Sequence, residues 1–207
     1  MAIPNAAAPP GPVGQAHVLL PVLPLPDVCL FPEASLNLIA TTTPALRGLE
    51  MALRSGKHAL AVAQKDTTGA RDLHDVGTVA EVSALERMPD GTRRVEIDGL
   101  RRARVVTLLG IDTLVAEAEL LDEGEAGDEW GPAVEALARY LHAHAELRAF
   151  LEQQRRSREP MAWVNLACQH LPIAASARQK LLEAVAAERC QKISRGLDAL
   201  LRKEQAF

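Results

Sequence analysis

The sequence predicts an α+β protein: a mixed β-barrel or highly twisted sheet of about six or seven strands with one short helix, followed by an all-helical bundle. Three observations carry this expectation. A proline-studded apolar run, LPVLPLPDVCLFP at residues 20–32, opens the patterned part of the chain. Alternation at period two dominates as far as residue 121, and beyond an acidic, glycine-containing joint at residues 123–128 the apolar period changes to about 3.6.

Proline lacks an amide hydrogen and fixes φ, so a run holding Pro21, Pro24, Pro26 and Pro32 can be extended and buried but belongs at a sheet edge, a strand start or a turn. Residues 18–41 therefore read as two strands, LLPVLPL and ASLNLIA, separated by the turn-like Leu30-Phe31-Pro32-Glu33. In the second strand Leu36, Leu38 and Ala40 share a face opposite Asn37 and Ile39. Thr43 before Pro44 resembles a helix cap, and Leu46, Leu49 and Leu53 make one stripe on a short helix that Gly56 ends. Strands follow at residues 58–65 and 76–82, with a polar loop between Asp66 and Asp75. Pro89-Asp90-Gly91-Thr92 is a turn. Residues 94–98 and 102–109 alternate on either side of Gly99, and residues 113–121 close the set. Gly77 and Gly99 mark points where a bulge or a close backbone approach excludes a β-carbon.

In the second half, Val134, Leu137, Leu141 and Ala145 form a stripe that Leu147 and Leu151 continue at a slightly rotated angle, giving one long helix. Pro160 restarts the chain, and Trp163, Val164, Ala167 and Leu171 give a second helix that His170 and Pro172 help to stop. Ser176 opens a third, whose pattern resumes after Cys190 with Ile193, Leu197, Leu200 and Leu201, so about three or four helices are expected. The division is a disordered leader at 1–17, a β domain at 18–122 and a helical subdomain at 129–204. The leader assignment rests on its four prolines and two glycines without one charged side chain. Those prolines also interrupt anything resembling a secretory signal, and no apolar run is long enough to span a bilayer. Cys29, Cys168 and Cys190 are few, odd in number and far apart, which fits buried thiols in a reducing cytoplasm.

The ordered motifs resemble the amino-terminal substrate-binding domain of the ATP-dependent protease Lon. The resemblance is carried by Leu23-Pro24-Leu25-Pro26-Asp27 running to Phe31-Pro32, then by Ala63-Gln64-Lys65-Asp66 and Val76-Gly77-Thr78-Val79-Ala80. It continues through Pro89-Asp90-Gly91-Thr92, Gly99-Leu100-Arg101-Arg102-Ala103-Arg104, and His170-Leu171-Pro172 through Glu183. It implies a PUA-like pseudobarrel followed by helices, and a part in engaging protein substrates and helping a ring assemble. The ATPase and proteolytic modules of that family have no counterpart before the final Phe207, so the resemblance implies a free-standing recognition domain without enzymatic activity.

The residues themselves favour binding over catalysis. Leu20, Val22, Leu23, Leu36, Leu38 and Ile39 supply more apolar surface than two short strands need on one face, and Leu23, Leu36, Leu38 and Ile39 are the candidate groove for an extended peptide. Arg94, Arg102 and Arg104 are a candidate anion patch, for an acidic peptide or for RNA, although alternation makes Arg102 and Arg104 an ordinary solvated strand face. Residues 1–125 hold 11 Lys or Arg against 17 Asp or Glu, and residues 126–207 hold 12 against 10, so neither half has the excess that phosphate neutralisation requires. Ser176 and Lys180 stand four apart without an oxyanion feature, Gly56-Lys57 lacks the surroundings of a phosphate loop, and the histidines have no ligand spacing with the cysteines. No catalytic residue, cofactor or metal is expected. The basic run at 153–158 is a solvated helix end or a contact for an acidic partner. The expected partner is an unfolded or extended polypeptide or another protein, with RNA or nucleotide binding and self-assembly, including a homodimer, as the alternatives.

Overall fold

A computed structural model describes residues 17–65, 71–111, 113–155, 157 and 159–204. Apart from His17, the expected leader lies outside the described residues, as do 66–70 of the polar loop and two arginines of the run at 153–158. The order of elements is β1 (His17–Leu25), β2 (Ser35–Ala40), α1 (Thr43–Arg54), β3 (His58–Ala63), β4 (Val76–Arg87), β5 (Arg93–Leu109) and β6 (Val115–Leu120). A short 3-10 turn leads into α2 (Trp130–Ala143), α3 (Ala145–Gln154), α4 (Pro160–His170), α5 (Ala175–Glu183) and α6 (Ala186–Glu204).

The sheet order is β2-β5-β4-β3-β1-β6, and β5 also pairs with β6, so five strands close a hydrogen-bonded ring while β2 is appended to β5. This ring is short of a true closed barrel. Its hub is β5, a single 17-residue strand where the sequence suggested two segments. The first part of β5 pairs with β2, the last part with β6, and β4 runs along the other edge through two register shifts.

Gly77 and Gly99 act as close-approach points, as their positions suggested. A β-carbon on Gly99 would stand 2.2 Å from the carbonyl oxygen of Phe31, and one on Gly77 would stand 2.4 Å from that of Ala61. The α1 cap falls on Thr42, one residue before the expected Thr43: its hydroxyl accepts from the amide of Ala45 at 3.4 Å. The expected long helix is broken at His144, which leaves helical geometry between α2 and α3, donates its backbone amide to Leu141 and stacks its ring on Tyr140. Among the described residues the helical half thus has five α-helices where three or four were expected.

One core fills the space between α1 and the sheet, and a second lies inside the ring around Val22, Leu60, Val62 and Ala103. The third joins the helices to the loop after β1, with Phe31 in the same core as Leu137, Tyr140, Val164 and Leu181. The helices therefore pack on their own sheet.

Candidate functional site

β2 is the exposed end of the sheet. Among the described residues it hydrogen-bonds to β5 alone, so its other edge presents unpaired backbone groups. Facing that edge is the end of β1, where prolines prevent closure. The carbonyl of Leu25 accepts from Gln64 on the β3 side. By strand alternation Pro24 then faces the opposite edge, and neither it nor Pro26, just past the strand end, has an amide hydrogen to give. Between the two strands and the first turn of α1 lies a pocket of about 240 Å³, lined by Pro24, Pro26, Leu36, Leu38, Ile39 and Thr42 among others. Ile39, 57 % exposed, stands at its open side.

Three of the four groove residues read from the sequence are thus brought together. The fourth, Leu23, requires correction: it is buried in the α1–sheet core, beneath the pocket, where it meets Leu38 across a void of about 10 Å³.

The anion patch is not assembled. Arg94 and Arg104 lie ten residues apart along β5, a contour of up to about 33 Å at about 3.3 Å per residue, and each pairs with its own carboxylate at 3.5 Å, Glu86 and Glu119 respectively. Arg102 departs furthest from the solvated face expected of it, being 1 % exposed. Its Nε donates to Glu123 at 2.5 Å, and its other nitrogens donate to the carbonyls of Asp122, Leu182 and Glu183. The helical half covers this face of β5, and the guanidinium serves to join the two.

Sequence reasoning missed the partner of this arginine. Arg189 of α6 is fully buried and donates to the second oxygen of Glu123 at 3.0 Å, to Asn165 at 2.5 Å, and to the carbonyls of Leu181 and Ala184. Burial pulls its pKa below the ordinary arginine value, while the Glu123 carboxylate opposes the shift. Asn165 passes the chain of bonds to the carbonyl of Pro32, and Gln169, one turn later on α4, bonds Phe31 and Ser35. Gln179 of α5 donates to Val76 and accepts from the thiol of Cys29. The loop that carries the chain from β1 to β2 is therefore held by side chains of the helices, and the open strand is positioned from behind.

Groups weighed for chemistry are placed differently. Ser176 and Lys180 both lie exposed on α5. All three cysteines are free and buried; burial pushes Cys29 up to about 11 and Cys168 up to about 12, so both thiols stay protonated at neutral pH. Among the described residues there is no cluster of three His, Cys, Asp or Glu able to hold a metal, and no helix long and apolar enough to cross a membrane.

The family model described as the ATP-dependent protease La (LON) substrate-binding domain matches residues 19–199. The chain belongs to this family. Among curated relatives, Lon protease of Xanthomonas oryzae is 42 % identical over 149 residues, covering 67 % of this chain and 17 % of that protein. Lon protease 1 of Thermus thermophilus is 30 % identical over 201 residues, covering 91 % and 25 %. This chain thus spans a quarter or less of those relatives and corresponds to their substrate-binding region, distinct from the ATPase and protease domains. Among solved structures, the N-terminal domain of Lon protease from the Mycobacterium avium complex has the same fold, with a TM-score of 0.72 at 18 % identity over 87 % of this chain and 98 % of that one. A Lon N-terminal domain protein from Xanthomonas campestris gives 0.61 at 21 % identity, covering 89 % and 98 %. The Lon substrate-binding domain is a non-catalytic recognition module, with a PUA-like β part and a helical part.

Proposed function

We propose that this Lon substrate-binding domain holds an extended, apolar stretch of polypeptide along the free edge of β2. The observation that carries the reading is the unpaired edge itself, set over an apolar pocket and kept open by Pro24 and Pro26. A peptide added there gains main-chain hydrogen bonds from β2, which depend little on sequence, and places one side chain in the pocket. Broad preference for apolar segments and modest affinity follow, because ordering the peptide offsets much of the gain from burial. In this reading the β part, residues 18–122, carries the peptide, and the helical part, residues 129–204, holds the strand in position. The three buried, unpaired thiols support a cytoplasmic setting. This reading draws on a polypeptide and not on nucleic acid: Arg102, the middle residue of the candidate anion patch, is buried.

The test is anisotropy of a fluorescein-labelled, permanently unfolded polypeptide titrated with the whole chain. Saturable binding in the micromolar range is expected, with Ile39→Lys weakening it at least about fivefold, since an edge lysine opposes strand addition. A backbone N-methylated version of the same probe should bind far more weakly. Equal binding of the methylated and unmethylated probes would refute strand addition, and a wild-type chain without saturable binding would refute the reading altogether.

A further inference from the structure

A second apolar groove lies between α5 and α6 and shares no lining residue with the β2 pocket. It encloses about 260 Å³ over Leu171, Ile173, Leu181, Ile193, Leu197 and Leu200. We propose that this groove docks an amphipathic helix of a partner protein, with an acidic residue at the end that meets Lys180.

The walls determine the form of the occupant. They are mainly the helices α5 and α6, whose backbone groups are bonded within each helix, and in the α4–α5 connection the carbonyls of Leu171 and Ile173 already accept from Arg178, so an extended peptide lying here would leave its own amides and carbonyls unpaired. A helix brings those bonds with it and needs only side-chain packing. The α6 wall runs from Lys192 to Leu200, about 12 Å at 1.5 Å per residue, which matches roughly two turns of a helix laid alongside.

Gly196 leaves room for such a visitor. It sits inside the 19-residue α6 and lines the groove, and a β-carbon there would meet nothing within 4 Å. Glycine is among the least favourable residues for a helix interior. No described atom of this chain occupies the space that its missing side chain leaves. Close approach of a second backbone uses that space.

The rim sets the charge of the occupant. Lys180 and Lys192 flank the apolar floor. Lys192 is paired with Glu188 at 2.8 Å, whereas Lys180 is exposed and has no ion pair among the described residues. An acidic side chain on the docked helix completes Lys180 and fixes the direction in which the helix lies.

The probe is a fluorescein-labelled peptide of roughly 16 residues, long enough to hold a helix, with leucines spaced for one face and glutamates at its flanks. A control carries lysines at the same flanks. The glutamate peptide should bind the full chain saturably, and the lysine control about tenfold more weakly or worse. Gly196→Leu fills the groove and should abolish binding while the thermal midpoint stays level or rises, because leucine favours a helix. Lys180→Glu should reverse the preference between the two peptides. Ile39→Lys should leave both unchanged, which separates this site from the β2 edge. Absence of binding by either peptide, or unaltered binding to Gly196→Leu, would overturn the proposal. So would sedimentation showing a wild-type dimer that Gly196→Leu converts to monomer, since the face would then join two copies of this chain.

Discussion

Gln169 of α4 donates from Nε2 to the carbonyl of Ser35, the first residue of β2, at 2.8 Å, and its Oε1 accepts from the amide of Phe31 at 3.1 Å. One buried side chain on a helix thereby spans the loop leading to the open strand. Gln169→Leu should destabilise the fold by about 1–3 kcal/mol, because the buried amide of Phe31 and the half-buried carbonyl of Ser35 lose their partner. The loss should be local as well as global. Hydrogen exchange of the amides in β2 should accelerate more than that of β3, and peptide affinity at the edge should fall with it. Uniform acceleration across the sheet would show that Gln169 contributes stability alone.

Glu123 holds Arg102 of β5 and Arg189 of α6 through its two oxygens, so one carboxylate joins the sheet to the last helix. Removing one member of such a group leaves buried charge uncompensated. Glu123→Ala should cost about 3 kcal/mol in urea unfolding, and most of that difference should persist in molar salt because both guanidinium groups are shielded from solvent. A difference that vanishes with salt would place the interaction at the surface in solution.

Much of the β part was legible because its constraints are local. Pro24 of β1 has no donor for the edge facing β2, and Gly77 and Gly99 mark crowded backbone within their strands. Arg102 shows where period two stops being informative: alternation identifies a shared face but cannot tell which other element covers it. Arg189 was legible in principle, since it lies on the apolar stripe Ala186, Cys190, Ile193 and Leu197 at helical spacing. An arginine on such a stripe needs a buried acceptor. Leu36, Leu38 and Ile39 were read as groove residues because strand apolarity exceeded one face, whereas Leu23, on β1, has the same apolar character and a covered position.

Gly99 sits where β5 crosses the loop after Phe31, donating to Ala34 and accepting from Glu33, each at 2.8 Å. Gly99→Ala places its new methyl 2.2 Å from the Phe31 carbonyl, so either β5 or the loop must shift. Overpacking of this kind costs about 1–3 kcal/mol, and here it also displaces Phe31, which is completely buried. The thermal midpoint of Gly99→Ala should fall by several degrees, whereas Gly196→Ala, in open space, should raise it. Equal behaviour of the two variants would contradict the packing described for β5.

His170 couples the anchor of β2 to pH. Burial first, and the Arg178 guanidinium second, hold its pKa below the ordinary 6.5. Its Nε2 stands 3.3 Å from Nε2 of Gln169, whose amide also donates to Ser35, so the imidazole must be neutral to accept that bond. With a folded pKa below the unfolded one, the contribution to stability is fully present above about pH 6.5 and is lost as pH falls through the folded value. Acidification from about pH 7 to 5 should therefore lower the urea midpoint and loosen β2 through Gln169. In His170→Gln, which cannot titrate, both responses should shrink. NMR titration of the His170 ring supplies the direct check: a midpoint at or above 6.5, or a His170→Gln variant with undiminished pH dependence, would remove His170 from the account and leave the anchor to Gln169 alone.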